Sequence, residues 1–138
     1  MSNLKDRLGQ SNNYGISDKV PIRKSKDSAF YGVTFDQAGR HPISLAIDFF
    51  RKDGSRFGIF NMEINSPILF DLGGEIKPQS ILLKTNSIEI TIEGRNLQKV
   101  YEYILEQRLV WVKEPDSSHT EIKEGEVEIE KIEIEENQ

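Results

Sequence analysis

The chain is 138 residues long, enough for one domain and short of two. It is 36% hydrophobic with a net charge of −5, a balance that argues against nucleic acid as the main partner, because phosphate contacts want a basic footprint. It has no cysteine, which excludes disulfides, thiol catalysis and thiolate metal sites.

Both properties are unevenly spread. Residues 1–42 hold 13 apolar side chains, residues 43–115 hold 32 and residues 116–138 only five. The first block carries seven Lys/Arg and four Asp, the second nine basic and ten acidic groups, and the third two Lys and nine Asp/Glu. The acidity therefore belongs to the C-terminal block. No apolar run approaches the roughly 20 residues of a membrane span, and the first residues lack the apolar segment of a secretory signal. The expected setting is the cytoplasm, with no membrane partner.

Residues 1–28 are rich in Ser, Asn, Lys and Asp and read as a mobile polar and basic arm, with the cluster Arg23-Lys24-Ser25-Lys26 on it. The globular domain is expected over 29–115. Phe30 to Phe35 is aromatic and β-branched, a short strand, and Asp36 to Arg40 is a loop. Ile43 to Phe50 alternates with a period of two, placing Ile43, Leu45, Ile47 and Phe49 on one face.

Asp53-Gly54 marks a hairpin, since glycine takes the positive φ such turns demand. The return strand is read from Arg56 to Ile64; both its faces carry apolar residues, which suggests cover on both sides. Ser66-Pro67 interrupts it, and Ile68-Leu69-Phe70 follows as an edge strand or a buried plug. Ile81 to Thr85 and Ile88 to Glu93 form two strands around an Asn86-Ser87 turn. In the second, Ile88, Ile90 and Ile92 point inward, and Glu89, Thr91 and Glu93 point to water.

Asn96 is placed as the N-cap of a helix whose apolar stripe is Leu97, Val100, Tyr101, Ile104 and Leu105. Leu109 to Val112 is a closing strand with Trp111 in its core, stopped by Pro115. The fold class is α+β: a mainly antiparallel sheet rolled into a small open barrel or sandwich, closed by one C-terminal helix at about 97–108 and a short strand. Residues 116–138 alternate apolar and acidic groups but shift phase at Lys131; they read as a solvated acidic tail, with an edge strand as the alternative. On this layout the core folds cooperatively without residues 1–27 and 117–138.

Searching for chemistry yields no catalytic constellation. His41 and His119 stand alone, without the ligand spacing of a metal site. Asp71 with Glu75-Ile76-Lys77 mimics a metal-dependent nuclease, but the segment reads as a loop and lacks the adjoining strands that chemistry needs. No cofactor, no metal and no catalytic residue is expected. The candidate binding residues are Arg51, Lys52 and Arg56 around the hairpin tip and Arg95 before the helix. The structural alternative for Arg95 is an ion pair with Glu93 or Glu89. The reading is a small non-enzymatic interaction or adaptor module with a protein partner. The alternative is a nucleic-acid or nucleotide-binding β-barrel that uses the 51–56 hairpin and the basic arm.

Overall fold

The computed structural model describes residues 30–35, 40, 42–115 and 124–137. The expected arm at 1–28, the Asp36–Gly39 loop, His41 and His119 lie outside them. Among the described residues, eight strands and one α-helix follow in chain order: β1 (Tyr31–Val33), β2 (Ala46–Phe50), β3 (Arg56–Phe60), β4 (Asn65–Asp71), β5 (Gln79–Lys84), β6 (Ile88–Arg95), α1 (Gln98–Leu105), β7 (Leu109–Lys113) and β8 (Glu128–Glu136).

Two four-stranded sheets form, ordered β1–β7–β2–β3 and β4–β5–β6–β8. All pairings are antiparallel except β2 with β7. Their inner faces contribute to one core. The first sheet supplies Tyr31, Ile47, Phe49, Ile59 and Val112; the second supplies Ile81, Leu83, Ile90, Ile92, Ile129 and Ile132. Leu97, Val100 and Ile104 bring the helix onto the same core, and Tyr101 stacks on Phe70 at 5.1 Å. The molecule is a small α+β sandwich rather than a closed barrel.

The hairpin and the strand pair around Asn86-Ser87 form where the sequence places them. Gly54 has φ 93°, and Thr85 Oγ1 accepts the amides of Ser87 and Ile88 in the second turn. Four local expectations are corrected. First, the Ile43–Phe50 strand begins only at Ala46; Ile43 and Leu45 run ahead of the sandwich and are exposed. Second, β3 stops at Phe60 and a 3₁₀ turn, Asn61–Glu63, replaces the rest, so Phe60 and Met62 face solvent rather than a second layer. Third, β4 runs across Ser66-Pro67, a cis bond, with irregular register between Asn65 and Leu69; proline is tolerated there because β4 is an edge. Fourth, Asn96 does not cap the helix. It sits at φ 57° and donates through Nδ2 to Glu126 O at 2.8 Å, while Leu97 occupies the cap position and the Gln79 side chain accepts the Leu97 amide.

The largest correction concerns the acidic block. Glu128–Glu136 is not solvated tail but the edge strand that was its alternative: the nine-residue β8, paired with β6 from Arg95↔Glu128 to Ile88↔Glu136. Val127, Ile129 and Ile132 are buried. Burying three such side chains stabilises by roughly 5–8 kcal/mol, comparable to the ~5–15 kcal/mol net stability of a whole small domain. The domain therefore does not end at 115, and the expectation that it folds without 117–138 loses its basis. The phase shift has a local cause. Glu93 faces Lys131 but Gly94 faces Ile129, so Glu130 is an extra residue, a β-bulge that returns Ile129 to the inner face.

Candidate functional surfaces

Around the hairpin, the three expected cations come to one end of the first sheet, but the Arg56 side chain carries a structural duty. Arg56 donates Nε to Asp48 at 3.2 Å and Nη2 to Asp48 at 2.8 Å, and its guanidinium lies 4.7 Å over the Phe50 ring. That hydrogen bond, with the aspartate charge behind it, holds Arg56 above its ordinary value. The Lys52 amide donates to the Glu114 carboxylate at 2.9 Å. Asp53 folds back onto the hydroxyl and amide of Ser55, which together hold its carboxyl below the usual range. The Arg51 Nε is buried without a hydrogen-bond partner. Lys113, opposite Phe50, adds a cation the sequence reading missed.

Arg95 is paired, but with neither Glu93 nor Glu89. Strand β8 puts Glu128 directly opposite, and Arg95 donates to it through Nε at 2.7 Å and through Nη2, with Glu130 at 3.9 Å. The Glu128 bond comes first in raising the Arg95 pKa. Glu93 stands opposite Lys131 and Glu89 opposite Glu135 instead. A polar groove of about 640 Å³ opens beside Arg95, between the β4–β5 loop and the start of β8.

Asp71 and Lys77, which suggested a nuclease, close the β4–β5 loop instead. Asp71 accepts the Gly73 amide at 2.9 Å and pairs with Lys77 at 3.2 Å, and the first of these leads in depressing its pKa. Gly73 has φ 71° and lies against the Lys77 and Pro78 backbone. Among the described residues no group of three or more His, Asp or Glu could hold a metal ion, and no helix is long and apolar enough to cross a membrane.

Glu114 is the residue that sequence reasoning missed most completely. It is buried, and its two carboxylate oxygens accept from Lys52 N in the first sheet's hairpin and from Ile132 N in β8 at 2.8 Å. One side chain thus clamps the two sheets and satisfies an edge amide of β8. The only sequence signal was an acid at the end of an apolar strand. Trp111 is buried as expected, but on the outer face: it lies across Gly32, with Phe50 edge-on at 6.2 Å.

A second surface is apolar. Asn61 N donates to Leu45 O at 2.9 Å, Asn61 Nδ2 donates to Ser44 O at 2.9 Å and Ala46 faces Phe60. These bonds gather Ile43, Leu45, Phe60 and Met62, all exposed, at one end of the first sheet.

Comparison with protein-family models, with curated proteins and with solved structures returns no match. What the geometry defines is a two-sheet α+β sandwich that carries a polar groove, a partly neutralised cationic hairpin and an exposed apolar end.

Proposed function

We propose that this chain is a non-catalytic interaction module that engages a protein partner through the apolar end of its first sheet. The observation that carries this reading is the exposure there of Leu45 (76%) and Met62 (88%), with Ile43 and Phe60 beside them. Clustered apolar side chains that the fold leaves in water are characteristic of interaction surfaces. Each would gain up to roughly 1.5–3 kcal/mol on full burial in an interface. The proposed setting is the cytoplasm, on the cysteine-free composition.

The test is co-purification from a lysate with the full chain and with Leu45→Ser/Met62→Ser, followed by titration of the purified partner. The expected result is a partner held by the parent and lost by the variant at unchanged thermal stability. Equal capture by both chains would overturn the assignment of this surface.

A second reading, nucleic-acid or nucleotide binding at Arg51, Lys52 and Arg56, is favoured by the addition of Lys113 to the tip. It is weakened by the commitment of Arg56 to Asp48. It expects a low-salt mobility shift with single-stranded RNA or DNA that Arg51→Glu abolishes; the absence of any shift would dismiss it.

A further inference from the structure

The outward face of the second sheet follows from the register. One row crosses Asp71, Ser80, Glu93 and Lys131, the next crosses Leu69, Leu82, Thr91 and Glu133, and the third holds Lys84, Glu89 and Glu135. Five carboxylates meet two lysines in these rows and Lys77, which reaches Asp71 from the β4–β5 loop, a net of −2. Two features of this face serve no folding purpose. Glu89 and Glu135 are directly opposite, and like charges in that position destabilise a sheet. Leu69 and Leu82 are paired outward, lining with Leu72 and Phe70 a trough of about 590 Å³. Leu69 is 46% exposed and Leu72 70%.

We infer that this face docks a lysine- or arginine-rich segment of another protein, one that also carries apolar residues. The cations would meet Glu89, Glu135, Glu133 and Glu93, and the apolar residues would enter the Leu69–Leu82 trough. The charge of the face selects the sign of the partner, and the trough selects its amphipathic character. Lys131 is already held by Glu133 at 2.7 Å, and Lys84 stands opposite Glu89, so the face cannot neutralise itself. A cationic partner relieves the Glu89–Glu135 repulsion, which is a gain available only in the complex. The inference rests on the interaction-module reading but uses a different surface, so the two fail separately.

The experiment uses the full chain and a fluorescein-labelled peptide of alternating lysine and leucine, about ten residues long, enough to cross four strands at ~4.8 Å spacing. An alternating glutamate–leucine peptide is the control. The expected results are binding of the lysine peptide that weakens with salt and no binding of the control. Glu89→Gln/Glu135→Gln should weaken binding about tenfold, as two rim ion pairs lost, while its thermal midpoint rises because the repulsion is gone. A merely structural role would move stability and binding together. Leu69→Ser should weaken binding without changing the salt slope. Equal affinity for parent and both variants, or no binding at low salt, would overturn the inference; loss only in Leu45→Ser/Met62→Ser would reassign the site to the apolar end.

Discussion

Gly94 lies where β6 and the bulged start of β8 approach most closely. A Cβ there would fall 1.9 Å from Glu128 O, a backbone atom that cannot swing aside. Gly94→Ala must push β8 outward, and urea unfolding should show a loss of about 2–4 kcal/mol, the range of severe overpacking; parent-like stability would mean that the strands do not meet there. Glu114 is the second decisive residue. Glu114→Ala leaves the amides of Lys52 and Ile132, the latter buried, without their acceptor, and hydrogen bonds to charged groups contribute about 1.5–3 kcal/mol each. Glu114→Gln keeps one acceptor oxygen and should cost less. Equal losses in the two variants would show that the carboxylate does not bridge the sheets. Asp71 tests the pH dependence. Its folded pKa is depressed, so the stability it contributes is present above the ordinary aspartate value of 3.8 and is lost as pH falls through the lower folded value. An NMR titration should place the Asp71 midpoint below 3.8, and Asp71→Asn should flatten that part of the acid limb of unfolding; an unshifted midpoint would argue against the Gly73 and Lys77 contacts.

Among the elements, legibility in the sequence follows periodicity. Strands β5 and β6 alternate cleanly, the hairpin carries its Asp-Gly, and Leu97, Val100 and Ile104 repeat at helical spacing, so these elements and the α+β class could be read directly, while the choice between open barrel and sandwich could not. Strand β8 could not, because Val127 and Ile129 alternate in one phase and Ile132 and Ile134 in the other. A single unbroken strand cannot do that, but a strand with a bulge at Glu130 can, and the bulge became visible only with Gly94 opposite it. The ends of β2 and β3 were misread for a different reason: Ile43, Leu45, Phe60 and Met62 keep the apolar pattern after the sheet has ended. At the candidate sites, the hairpin cluster was legible but its neutralisation by Asp48 was not, since cross-strand pairing depends on register. Arg95 was assigned the wrong carboxylate because its partner lies on a strand read as tail. Removal of residues 117–138 deletes β8 and uncovers Ile90 and Ile92. Scanning calorimetry of that truncation should show no cooperative transition, and a sharp parent-like transition would return β8 to the status of a tail.

At the scale of the whole molecule, the two sheets are held by one shared core and by the Glu114 clamp, and the surfaces assigned to partners lie on opposite sheets. The apolar end belongs to the first sheet; the acidic face with its trough belongs to the second and exists only while β8 is paired. The integrity of β8 is thus the claim on which the domain limits and the acidic face both depend, and amide hydrogen exchange reads it directly. Asn137 N donates to Ser87 O, so by antiparallel alternation the amides of Glu135, Glu133 and Lys131 face β6, while that of Ile132 faces Glu114. These four should be protected to the same degree as the amides of β6, with Ile132 alone losing protection in Glu114→Gln or Glu114→Ala. Exchange of all four at the rate of an unstructured chain would contradict the account.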